Sequence, residues 1–320
     1  MSASAPRVYS IPPGAPFLLT LAQALLGGRV VPGFALGDDP MRLADATIFV
    51  PTRRAARELR SIFAGLADGR AAILPTILPL GDVDEDAAWF DTAVPPPDAL
   101  DPPIDALERL LLLTPLVQAW KRRLPAHVAE MFAEDIVVPA SSAEAIWLAR
   151  DLADLMDEIE REEADWQGLG GLVKEELAAW WQVTLDFLQI VTGLWPDALG
   201  ELKRSNPAAH RSRLIDAETE RLMRAPPAGP VIAAGSTGSI PATARLLAAI
   251  ARLPNGAVVL PGLDTDLDAA AWDMLGEADA APSVYGHPQF GLHRLLGAIG
   301  VARGDVTELG ARTAELGARA

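Results

Sequence analysis

The sequence predicts an α/β protein: a parallel sheet interrupted by one long helical excursion. Three observations predict it. Short apolar, strand-like runs alternate with amphipathic segments up to Leu80. Only helical periodicity is visible between the proline clusters at Pro95–Pro103 and Pro226–Pro227. A strand, a glycine-rich turn, a helix and a second strand then follow Pro230.

Val8–Ile11 predicts the opening strand. After Pro12-Pro13-Gly14-Ala15-Pro16, the residues Phe17, Leu18, Leu21, Ala22 and Leu25 share one helix face, which Gly27-Gly28 ends. Ala46–Val50 reads as a buried strand stopped by Pro51. Thr52 is placed to cap a helix from Arg53 to about Leu66, with Ala55, Ala56, Leu59, Ile62 and Phe63 inward. Ile73–Leu80 is apolar, and its two prolines keep it extended. Pro95–Pro103 is a stiff, polyproline-like linker. Helical periodicity then runs over Ile104–Arg123, Ser141–Glu163, Lys174–Trp195 and Arg213–Arg224. Trp180, Trp181 and Trp195 fall at helical spacing, as core or interface residues do. Val231–Ala234 and Ala257–Leu260 are buried strands around a helix from Pro241 to Leu253. Leu292–Ile299 is helical, and no closing element is evident after it. The expected division is residues 1–94 and 229–320 as two parts of one α/β domain, with 95–228 as a helical insertion.

Composition narrows the functional classes. The 320 residues carry 27 Lys+Arg against 43 Asp+Glu, a formal charge of −16, which disfavours a general nucleic-acid coat but permits a local basic strip. The absence of cysteine excludes disulfides, a cysteine nucleophile and thiolate metal or iron–sulfur ligation within this chain. There is no apolar run of membrane-spanning length and no secretory leader pattern, so a cytoplasmic location and no membrane partner are expected.

Gly235-Ser236-Thr237-Gly238-Ser239, between a strand and a helix, is a weak candidate phosphate loop. A tight turn on a structural unit is the plainer alternative. The dinucleotide glycine pattern is missing. None of the three lysines, Lys121, Lys174 and Lys203, follows a glycine, so no Walker A motif exists. Asp82–Asp86 suits either a divalent metal or an acidic turn. Asp264–Asp268 starts like a calcium loop but has Ala269 and Leu275 where glycine and glutamate belong. His127, His210, His287 and His293 do not pair at helical spacing, so no metal site is expected. No Gly-x-Ser-x-Gly elbow supports a hydrolase, and no catalytic residue is assigned. Two basic strips remain. Lys203, Arg204, Arg211 and Arg213 suit a solvated helix face. Thr52, Arg53, Arg54 and Arg57 open a helix directly after a strand, where open sheets receive ligands, and are the candidate DNA-contacting residues.

Five blocks, in order, carry a family resemblance: Ile11–Phe17, Val50–Arg57, Leu78–Glu85, Ala234–Thr243 and His287–Leu292. Together they resemble the N-terminus of the AddB family, the repair subunit of the AddAB helicase–nuclease that acts on double-strand breaks. The resemblance implies a RecA-like, superfamily-1 helicase-like domain with a helical insertion. It implies DNA and an AddA-type motor subunit as partners. It also implies that the chain is the N-terminal part of a larger subunit. The family complex uses ATP, magnesium and an iron–sulfur cluster. The family's nuclease motif and cluster cysteines have no counterpart here, and Ile11–Phe17 stands where helicases place Walker A. The expected role is a scaffold that guides DNA. The rival is a stand-alone α/β nucleotide- or phosphate-binding enzyme using the Gly235–Ser239 loop.

Overall fold

The computed structural model describes residues 5–35, 40–67, 73–80, 100–123, 141–166, 178–277 and 282–311. Asp82–Asp86, Pro95–Pro97, His127 and Lys174 lie outside them, as do the side chains of Trp180 and Trp181. The chain forms two compact units, residues 1–97 with 214–320, and residues 98–213.

The first unit is a six-stranded parallel sheet in the order β3-β2-β4-β5-β1-β6. Its strands are β1 (Val8–Ile11), β2 (Thr47–Val50), β3 (Thr76–Pro79), β4 (Val231–Ala234), β5 (Gly256–Pro261) and β6 (Thr307–Glu308). β4 is buried along its whole length, as a central parallel strand covered on both faces must be. Ile48, Val50, Ile232, Ala234 and Val259 enter one core with Leu21 and Leu25 of α1 (Phe17–Leu26) and Leu59 and Phe63 of α2 (Arg53–Leu66). α8 (Pro241–Arg252) packs on β4, β5 and α11 (Phe290–Ile299), and contributes nothing to that core. The helices after β1 and β2 therefore cover one face, and those after β4 and β5 the other. Right-handed crossovers running in opposite directions along the sheet require this. The architecture is a RecA-like parallel α/β domain with a helical insertion.

The second unit is helical: α3 (Ala106–Arg123), α4 (Ser142–Arg161), α5 (Ala178–Gln189), a π-helical turn at Ile190–Leu194, α6 (Trp195–Leu202) and the start of α7 (Pro207–Arg224). Leu113, Val117, Ala149, Leu152, Met156, Val191 and Trp195 form its core. Ser141 caps α4 through a reciprocal capping box with Glu144. The unit boundary falls inside α7, between Arg213 and Leu214, whereas the proline cluster had put the division at Gly229. From Leu214 onward α7 has its own anchors: Leu214, Ile215 and Leu222 are buried, and Arg245 of α8 pairs with Asp216 at 2.8 Å.

Sequence patterning misses β6. It is two residues long, and its register on β1 is held by Leu309 N–H donating to the Ser10 carbonyl at 2.8 Å. A strand this short has no periodicity to read.

Candidate functional site

The carboxyl end of β2 leads straight into α2. Pro51 has no N–H to continue the ladder. Thr52 is extended (φ −133°, ψ 158°), and its Oγ1 accepts the Ala55 N–H at 3.1 Å. That cap leaves the hydroxyl hydrogen available to donate. Arg53 and Arg54 follow in the first helical turn, which contains no acid. Cations there oppose the helix dipole, at about 0.3–1 kcal/mol each. The same placement superimposes two guanidinium charges on a positive helix end, which favours an anion. Arg54 and Arg57 are exposed, while Arg53 is half-buried with its Nε shielded from solvent. Of the two arginines of the first turn, only Arg54 stands fully clear of the protein surface. Ala56, Leu59 and Phe63 are buried, and Arg60 donates to the Ile77 carbonyl at 2.8 Å, tying α2 to β3.

The carboxyl end of β4 leads into α8 through Gly235–Ser239. Gly235 has a φ of +82° and donates its N–H to the Val259 carbonyl at 3.0 Å. Ser236 is buried, and its Oγ accepts the Gly238 N–H at 3.2 Å. That hydroxyl organises the turn. Ser239 is exposed, and the α8 N-cap, Ile240, offers no side-chain cap.

Strand order brings these two segments together. β2 pairs with β4 in the register Phe49↔Ala233, which carries Pro51 to the level of Gly235. A Cβ on Gly235 would meet Pro51 Cδ at 3.4 Å and Phe17 Cε1 at 3.3 Å. Because α2 and α8 depart to opposite faces, β2/β4 is a topological switch point, where a crevice opens at the carboxyl edge. The two segments that meet here, Ala46–Arg57 and Ala225–Leu263, contain neither Asp nor Glu, in a chain of charge −16.

The second switch point, β5/β1, is built differently. Pro12, Pro13 and Pro16 lack N–H groups, and the Ala15 N–H points to the Pro12 carbonyl at 3.3 Å. Pro13 packs on Gly262, where a Cβ would lie 3.4 Å from its ring. A phosphate cradle needs several convergent N–H groups and a lysine. This turn has no lysine and loses three N–H groups to proline, so its residues do not match the donor set of a Mg-ATP cradle.

The other sequence candidates have structural roles. Asp264 Oδ1 accepts the Asp266 and Leu267 N–H groups, and Asp268 caps the helix Ala269–Met274, our α9, through Ala271 N–H. Arg211 has its guanidinium nitrogens buried, so the second basic strip is not a continuous exposed surface. Buried His210 places Nδ1 3.0 Å from the Asp101 carbonyl oxygen, and His287 Nδ1 accepts the Gln289 N–H. Trp195 is core, and its indole donates to Asn206 at 2.8 Å. No group of three metal-ligating side chains occurs among the described residues. No helix among them is long and apolar enough to cross a membrane. A cavity of about 470 Å³ lies at the opposite, amino-terminal edge, lined in part by Phe34, Arg42, Asp45 and Asn255. Its Arg42 is held by the Gly33 and Ala35 carbonyls.

The polar cluster inside the helical unit is not legible in the sequence. Arg109 pairs with Asp157 at 2.8 Å, both largely buried. Glu160 accepts from Asn206 at 2.6 Å. Burial raises the Glu160 carboxyl above its ordinary range, opposed by the Asn206 hydrogen bond and the Arg109 charge. The i, i+3 spacing of Asp157 and Glu160 was visible, but their shared burial depends on α3 and α7.

Comparison with family models and with curated proteins gives no match.

Proposed function

We propose that this chain is a helicase-like, DNA-guiding domain of the AddB type, working in double-strand break repair beside an AddA-type motor subunit. One observation carries the reading. The arginine-bearing start of α2 and the Gly235–Ser239 turn meet at one switch point, and neither segment carries an acid. Arg54 and Arg57 are exposed there, and Arg53 and the Thr52 hydroxyl border the same helix end. This arrangement suits a sugar-phosphate backbone, which presents anions at regular spacing. The proline-filled turn after β1 supports a guiding role without nucleotide hydrolysis by this domain. ATP, magnesium and an iron–sulfur cluster would then be functions of other parts of the complex.

Titration of the full chain with a fluorescent single-stranded oligonucleotide, across a salt series, tests the reading. Weak binding with a steep salt dependence is expected. A parallel titration with Mg-ATP separates the rival phosphate-binding enzyme. Micromolar ATP affinity lost on substitution in Gly235–Ser239, without DNA binding, would replace this proposal with that one.

A further inference from the structure

The end of α10 (Pro282–Tyr285), just before α11, carries an aromatic group apart from the candidate phosphate-contacting residues. Tyr285 is 58% exposed. Its ring centroid lies 5.2 Å from that of Phe290 at an interplanar angle of 78°. The Arg294 guanidinium sits over the Phe290 ring, 5.8 Å from its centroid. In a near-perpendicular pair, at least one face of the tyrosine ring is left uncovered by its partner.

This group is adjacent to the candidate site. Gly291, next to Phe290, lies against Thr237 of the β4–α8 turn, where a Cβ would meet the Thr237 Cβ at 3.4 Å. Gly238 of the same turn packs on Leu295 of α11. Gln289 fixes the start of α11 by donating to the Gly262 carbonyl and accepting the Asp264 N–H, both at 3.0 Å. One series of contacts thus runs from Pro51 to Gly235, and along the same turn from Thr237 to Gly291, the chain neighbour of Phe290. The segment Pro282–Arg303 contains no Asp or Glu but two arginines and two histidines. An exposed ring, paired with a second ring that an arginine covers, on an acid-free segment beside a phosphate-suited turn, matches a nucleobase better than an apolar protein surface.

We infer that Tyr285, backed by Phe290 and Arg294, is a base-stacking platform for a single strand whose backbone runs over Thr52–Arg57. The inference rests on the DNA-guiding reading above. It adds a contact to the bases, sequence-tolerant because every base has a π-face.

The test uses the full chain with oligothymidylate strands and strands carrying one 2-aminopurine, whose fluorescence falls on stacking. Tyr285→Ala is expected to weaken binding about tenfold, the scale of one lost base–aromatic stack, and to abolish the quenching. Tyr285→Phe should retain both, because the ring is kept. The salt slope should be the same in all three proteins, because stacking releases no counterions. An abasic site at the quenched position should weaken the unsubstituted protein equally, which tests the platform independently of any folding defect. Unchanged affinity and quenching in folded Tyr285→Ala, with DNA binding intact, would overturn the platform and leave the guiding role standing. Absence of single-strand binding by the unsubstituted chain would overturn both. Loss of AddA-type subunit capture with DNA binding and quenching unchanged would reassign Tyr285 to a protein interface.

Discussion

Gly235, at the end of β4, lies against the ring of Pro51, at the end of β2. A side chain on Gly235 would begin 3.4 Å from Pro51 Cδ, on a backbone whose φ is +82°. The contact joins two segments that are far apart in sequence and makes one edge of them. The glycine is needed chiefly for its left-handed conformation, since a Cβ there would touch Pro51 at contact distance and crowd only Phe17 Cε1, at 3.3 Å.

Gly235→Ala should therefore destabilise the protein by about 1–2 kcal/mol, the penalty for a side chain in left-handed backbone. Urea unfolding at constant m-value measures it. A change near zero would mean that the turn relaxes freely and does not hold the two segments in place.

Replacing Arg53 and Arg54 together by Ala should flatten the log–log salt dependence of single-strand binding by about one unit or more. The starting slope is expected near −2, for about three phosphate contacts. The single variants should differ. Arg54→Ala leaves stability within about 0.5 kcal/mol because the side chain is exposed, whereas Arg53→Ala also loses packing. If a folded double variant keeps both affinity and slope, the arginines are an ordinary solvated helix start.

Calorimetric titration of the chain with Mg-ATP should give no saturable heat at micromolar concentrations. The β1–α1 turn contains three prolines and no lysine, so it lacks the charged donor that holds β- and γ-phosphates and three of its backbone donors. A micromolar dissociation constant would refute this account of the turn.

In the helical unit, Arg109→Met should destabilise by about 3–5 kcal/mol, because Asp157 is left charged and largely buried. The double variant Arg109→Met, Asp157→Leu should recover most of the loss. A double variant as unstable as the single one would show that the pair also fixes local geometry.

Glu160 has a folded pKa raised above its ordinary value of 4.5 by burial. Its contribution to stability is fully present below the ordinary value and is lost as pH rises through the raised one. The stability of the unsubstituted protein relative to Glu160→Gln should thus increase as pH falls toward 4.5 from neutrality. Thermal melts of both proteins across that range measure the difference. A flat or opposite trend would mean that the Asn206 bond and the Arg109 charge outweigh desolvation.

The sequence by itself determined the α/β class, the helical insertion and the positions of β1 to β5, because each element's burial pattern is written locally. Val231–Ala234 is apolar throughout because both faces of that strand are covered. Thr52 announces α2 because an N-cap is a matter of adjacent atoms. It also put both candidate segments at strand ends. Only the tertiary structure decided that these strand ends are neighbours. Strand order depends on contacts between distant residues, so Phe49↔Ala233 has no local signature. The same cause hid β6, whose two residues take their conformation from β1, and the burial of Glu160, which depends on its neighbours from other helices. It hid the exposed Tyr285 ring as well, since whether an aromatic residue packs inward or faces solvent is settled by what folds against it.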